Sequence, residues 1–170
     1  MKWTFPILIA GVMAFVPAVA PAATIDNQAE QALMRARADE YNAEAFYAAV
    51  IETFGPVRPF SNIIEAERMH ASALVALMRG YGIDVPPNDK LGAQAVEAEV
   101  PATLKEACLM GGEAEILNRD LYTRDLMPAA AGYPDILRVF GGLQAASENN
   151  HLPAFQRCAQ RNCPPMMTRR

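Results

Sequence analysis

Apolar residues recur along this chain at intervals of three and four, the spacing that puts them on one side of a helix, and proline or glycine closes each run. The first run follows Asp26 and Asn27, either of which can cap a helix, and stops at Phe54 ahead of Gly55, Pro56 and Pro59. Its inward seam reads Leu33, Glu40, Tyr47, Phe54. A second run, with Ser61 as its cap, ends in Gly80-Tyr81-Gly82 and has the seam Ile63, Glu67, His70, Leu74, Leu77, Tyr81. Thr103 and Glu106 form a capping box for a third, expected to break at Pro128, with the seam Leu104, Cys108, Gly111, Glu115, Asn118, Tyr122. The fourth starts near Pro134-Asp135 and runs to about Gln160; its seam is Leu137, Gly141, Gln144, Glu148, His151, Phe155, Cys158.

Short links join the first helix to the second and the third to the fourth, so each pair is expected to be antiparallel. Residues 83–102, with Pro86, Pro87 and Pro101, make a long connection that can cross the length of the molecule. An all-α fold follows, because strand-like alternation of β-branched and aromatic residues is missing. The arrangement expected is a ferritin-like antiparallel four-helix bundle with one long crossover between helices 2 and 3.

Composition adds a compartment and removes a ligand class. Lys2 precedes an uncharged apolar run, Phe5 to Ala20, and Ala20-Pro21-Ala22 fits the small-residue pattern of a secretory cleavage site. Cleavage after Ala22 is preferred, since a cut after Ala20 would leave Pro21 first. The expected organisation is a signal peptide at 1–22, the bundle at 23–160 and a C-terminal tail at 161–170, in a periplasmic or secreted protein with no membrane attachment after processing. The net charge of -4 argues against nucleic acid as a partner. Of the three cysteines, Cys158 and Cys163 are close enough in sequence to pair in an oxidising compartment, leaving Cys108 free.

The chemistry sits where charge interrupts the seams. Both histidines follow a glutamate by three residues, in Glu67-x-x-His70 and Glu148-x-x-His151, so each pair leaves one helix face. Glu40 and Glu115 supply one inward glutamate from each of the other two helices, with Glu44 and Glu113 as the competing choices. One Glu from two helices and one Glu-x-x-His from the other two is the ligand pattern of di-iron and di-manganese carboxylate bundles. Two divalent cations would neutralise carboxylates that otherwise repel each other in a low-dielectric core. The metal ligands expected are therefore Glu40, Glu67, His70, Glu115, Glu148 and His151, around two Fe or Mn ions.

The stretch Phe54-Gly55, Phe60-Ser61-Asn62-Ile63, Glu65-Ala66-Glu67, His70 and Arg79-Gly80-Tyr81-Gly82-Ile83, with His151-Leu152-Pro153-Ala154-Phe155, resembles the family catalogued as domain of unknown function 2202. The resemblance covers roughly residues 36–157. It implies a ferritin-like fold and supports Glu40, Glu67, His70 and Glu115 as ligands, but no activity comes with it. One departure is that two asparagines, Asn149 and Asn150, precede His151 where the family pattern has one. A loop or a single-turn π-bulge would absorb the extra residue, and Pro153 beside it should kink the helix.

Together these features point to an oxidase, ferroxidase or peroxidase working on dioxygen or peroxide, with any reductant supplied from outside. The alternative is a non-enzymatic helical bundle that buffers metal or binds a partner, and a homodimer is compatible with either. A third reading is a purely structural helical domain. Every ligand projects from mid-helix, so the expected site admits only small molecules such as dioxygen, peroxide or a metal ion.

Overall fold

The computed structural model describes residues 24–161; the expected signal peptide, Cys163 and the end of the expected tail lie outside the described residues. Among the described residues helices are the only regular secondary structure, and no strand is present. We number the helices α1 (Asn27–Phe54), α2 (Phe60–Gly80), the one-turn α3 (Gln94–Glu97), α4 and α5. Helix α4 is Leu104–Leu121, continued through a π-helical stretch Tyr122–Leu126 into Met127–Ala129. Helix α5 is Pro134–Ala146, a π-helical stretch Ser147–His151, and Leu152–Gln160. No described helix is long and apolar enough to cross a membrane.

Local signals account for most boundaries. The Asp26 carboxylate accepts from the Ala29 amide at 2.8 Å, satisfying one of the unpaired donors at the start of α1. Thr103 and Glu106 form the expected reciprocal box at the start of α4. Two expectations need correcting. Helix α2 starts at Phe60 behind Pro59, so Ser61 lies inside its first turn and does not cap it. Helix α4 does not stop at Pro128 but carries it into a last turn ending at Ala129.

Both π-helical stretches end two residues before a proline. The Met127 amide donates to the Tyr122 carbonyl ahead of Pro128, and the Leu152 amide donates to the Ser147 carbonyl ahead of Pro153. Proline brings no donor, and its ring collides with the carbonyl four residues back; a π turn holds an extra residue and relieves that collision without ending the helix. The extra residue before His151 is thus absorbed as a π-bulge. Its cost to the expected seam is a shift of register. Upstream of the bulge the buried residues of α5 are Ile136, Phe140, Leu143 and Ser147, each one short of the expected Leu137, Gly141, Gln144 and Glu148.

Side-chain pairs fix the helix directions. His70 meets Glu40 and Arg68 meets Glu44, so α1 and α2 run antiparallel. Ser147 meets Asn118, His151 meets Glu115 and Cys158 meets Cys108, so α4 and α5 do too. Tyr47 with Glu115 and Tyr122 with Glu40 set α4 against α1, and His151 with Glu67 and Asp135 with Tyr81 set α5 against α2. Helices α2 and α4 therefore point the same way, and the chain between them must travel back along the molecule. It does so beside α1, where Arg37 donates to the Pro86 carbonyl at 3.0 Å and Asn88 to Glu44 at 3.1 Å.

Two apolar clusters fill the interior. Leu33, Leu74, Met78, Tyr122, Leu126 and Phe140 pack at one end. Tyr47, Val50, Phe60, Ile63 and Phe155 pack at the other, with the Cys108–Cys158 disulfide among them. That bridge replaces the expected Cys158–Cys163 pair with free Cys108. Spacing along the chain favoured the neighbours, but packing of α4 on α5 buries Cys108 against Cys158 with Cα atoms 5.8 Å apart.

The glycine pairs divide on contact. A Cβ on Gly111 would lie 2.7 Å from the Phe155 ring, so only glycine lets α5 approach there, whereas Gly142 faces open space. Gly111→Ala is expected to cost about 1–3 kcal/mol by overpacking, and Gly142→Ala to stabilise by about 0.5–1 kcal/mol through helix propensity. Urea denaturation of both variants checks this; a destabilising Gly142→Ala would contradict it.

Candidate metal centre

Between the two apolar clusters lies a polar layer one turn deep. Glu40, Glu67, Glu115 and His151 are 2, 3, 4 and 5% exposed, which for charged groups requires partners. Each arrives by helical phase: Glu40 lies on α1 between Leu33 and Tyr47, and Glu67 on α2 between Ile63 and Leu74. Glu115 extends the line of Cys108 and Gly111 on α4. Glu113, the competing choice, is exposed.

The layer contains two sets of ligand atoms, Glu40–Glu67–His70 and Glu67–Glu115–His151, each within 4.8 Å of one another. Glu67 belongs to both. Its Oε2 lies 3.0 Å from His70 Nδ1 and its Oε1 lies 3.2 Å from His151 Nδ1. Glu40 Oε2 completes the first set at 3.2 Å from His70 Nδ1, and Glu115 Oε1 the second at 3.5 Å from His151 Nδ1. The imidazole rings stack with centroids 5.6 Å apart. Tyrosines hold the outer carboxylates: Tyr47 donates to Glu115 Oε1 at 2.8 Å and Tyr122 to Glu40 Oε1 at 3.0 Å.

Glu148, expected as the sixth ligand, is not part of the centre. It is exposed and accepts from the Gln144 amide at 3.1 Å. A π turn advances roughly 4.4 residues per turn, so a residue three before His151 swings away from it, while one four before aligns. Ser147 takes that aligned position; it is buried and donates to Asn118 Oδ1 at 2.8 Å. Glu44 is buried but turned outward, paired with Arg68 at 2.8 Å.

Sequence reasoning missed Asp39 and the role of Tyr122. Asp39 accepts from Asn118, and burial raises its carboxyl above the ordinary range, with Glu115 adding to the rise. Its signal was the step of one residue before Glu40, which places it at the edge of the seam.

Without metal, protons neutralise this layer. Burial pushes Glu40 up to about 8. Burial would also raise Glu67, but the close approach of the His151 and His70 imidazoles outweighs it and brings Glu67 down to about 2. Burial would lower both histidines; instead Glu40 and Glu67 lift His70 to about 10, and Glu115 and Glu67 lift His151 to about 9.

The Glu67 contribution is present above its ordinary 4.5 and is lost as pH falls toward 2. The histidine contributions are complete below 6.5 and are lost as pH rises through 9 and 10. Glu40 retains a proton between 4.5 and 8 that the unfolded chain gives up, so it too lowers stability as pH rises. The metal-free protein is expected to be most stable near pH 4.5, to lose stability through Glu40 above that, and to lose it faster above 6.5 as the histidine contributions go too. Calorimetry across pH 4 to 10 reads this directly, and a melting temperature that rises between pH 7 and 9 would contradict it.

The residues fit metal ions. His151 Nδ1 is buried and, despite its 3.2 Å approach to Glu67, makes no properly directed hydrogen bond. A buried nitrogen left without a partner among five converging donors is what a cation would satisfy. Oxygen and imidazole donors without thiolate suit iron or manganese.

Among solved structures, the fold is similar to that of a hypothetical protein from Methanococcus jannaschii. The two share 23% identity over 88% of this chain and 91% of that one, with a TM-score of 0.69. At that identity the likeness concerns the fold alone. No family model matches the chain, and no curated protein matches it either.

Proposed function

We propose that this protein is an exported, ferritin-like four-helix-bundle metalloprotein whose polar layer holds two iron or manganese ions for oxidase, ferroxidase or peroxidase-type chemistry. The observation that carries the reading is Glu67, which presents one carboxylate oxygen to each of two histidine-centred sets. One set would use Glu40, Glu67 and His70, and the other Glu67, Glu115 and His151. When bound, such ions supply Lewis acidity and electron transfer toward dioxygen or peroxide. The apolar clusters on either side restrict water, and Tyr47 and Tyr122 hold Glu115 and Glu40 in place. His70 and His151 must give up their Nδ1 protons to bind metal, which couples loading to pH.

Three carboxylates rather than four face the layer, so five residues share two ions and coordination positions remain for small molecules. The resemblance to domain of unknown function 2202 supports the ferritin-like assignment, and the leader at 1–22, cleaved after Ala22, supports a periplasmic or secreted location. Elemental analysis of protein purified from that compartment should find about two ions per chain. Ferrous iron added in air should be oxidised faster by wild type than by His70→Ala. Reversible metal binding with equal oxidation rates would leave a metal buffer in place of an enzyme.

A further inference from the structure

The polar layer is not sealed. Between α1 and α4 a cavity of about 270 Å³ opens to solvent and reaches Glu67 and Glu115 at its floor. That volume is several times the roughly 30 Å³ share of one water, so it is far larger than dioxygen, peroxide or a bare cation requires. The expectation that only such molecules can arrive is therefore corrected, because the small side chains of Ala43 on α1 and Ala114 on α4 leave the gap open.

The walls and floor differ in chemistry. Phe46, Met110 and Leu117 provide apolar wall. Leu117 is 64% exposed and Met110 37%, so both present apolar surface to solvent. The charged lining is Asp39, Glu67, Glu99 and Glu115, all acidic, and no lysine or arginine lines the cavity. Asn42, Asn118 and Ser147 add polar groups to the lining. Such a site repels anions, solvates an apolar body and offers acceptors at depth.

We propose that this cavity binds a small organic molecule with an apolar body and a hydrogen-bond-donating head that is neutral or cationic, of the phenol or primary-amine class, with the head toward Glu67 and Glu115. The inference deepens the metal-centre reading by naming what is brought to it; it rests on that reading for the chemistry and not for the binding. Carboxylic acids of the same size are disfavoured by Asp39 and Glu99, the acidic lining residues that belong to neither ligand set.

Phenol, benzylamine and benzoate have similar bodies and different heads, so they make a direct test. Each would be titrated into full-length mature protein, with the backbone amides of Asn42, Ala43, Ala114 and Asn118 followed by NMR and the metal content of the same sample measured. Phenol and benzylamine should shift these amides, and benzoate should bind there at least about tenfold more weakly. Ala43→Phe and Ala114→Phe fill the gap from opposite walls, and each should weaken phenol binding about tenfold or more, whereas Glu113→Phe, on the same helix but outside the cavity, should not. Benzoate binding as tightly at these amides, unchanged binding in both filled variants, or no shifts with phenol and benzylamine would each overturn the inference. Metal present with no binding sinks this inference alone; binding without metal supports it and sinks the function proposed above.

Discussion

Of the two metal ions proposed above, Glu67→Gln is expected to release both, while Glu40→Gln releases only one. The difference follows from the geometry: Glu67 serves both histidines through its two oxygens, and Glu40 touches only His70. Loss of an outer hydrogen-bonding partner already costs a metal site about 10–100-fold in affinity, so loss of a direct ligand exceeds that. His70→Ala should also remove one ion. Glu148→Ala and Glu44→Ala should leave both, because Glu148 is exposed on the far side of the π turn and Glu44 is committed to Arg68. Elemental analysis of these five variants after identical reconstitution would read the result. Equal loss in Glu67→Gln and Glu148→Ala would mean that the π-helical stretch of α5 has the opposite phase.

Cys158→Ser in the oxidised protein is expected to destabilise it by about 4 kcal/mol, lowering the melting temperature by roughly 10–20 °C. The bridge to Cys108 closes a loop of 50 residues that includes nearly all of α4, the turn and nearly all of α5. Cross-linking so long a segment removes much of the unfolded chain's freedom. The bridge also lies in the apolar cluster next to Phe155, close to the turn of α5 that places His151. Metal affinity should therefore fall with stability in this variant, and Cys163→Ser should change neither. A Cys158→Ser protein as stable as wild type would show that the bridge does not form.

Much of the candidate layer was legible in the sequence because helical phase is a local property. Glu40 lies seven residues from both Leu33 and Tyr47, and any straight helix that buries those two buries it as well. The same argument placed Glu67, His70 and Glu115, but it left Glu113 as a competitor to Glu115, and only the structure shows Glu113 exposed. Capping at Asp26 and Thr103, and the prolines and glycines between runs, marked the helix ends through chemistry confined to a few residues. His151 emerged for the same reason, since the seam after Leu152 is regular.

Glu148 failed where a regular helix was assumed. Pro153 clashes with a carbonyl four residues back, the chain responds by a π turn, and every residue upstream rotates by one position. The extra residue and the proline were visible in sequence, but whether the helix loops out, bulges or breaks depends on what α4 and α2 demand of both halves. The disulfide was likewise decided by packing: residues five apart looked closer than residues 50 apart until α4 lay against α5. The double use of Glu67, the tyrosine hydroxyls on Glu40 and Glu115, and the cavity beside Ala43 and Ala114 all depend on distances between helices. A sequence specifies which face of each helix is polar, because that face repeats along one chain. Which atoms of that face meet is set by how helices distant in sequence pack, and only the tertiary structure holds that information.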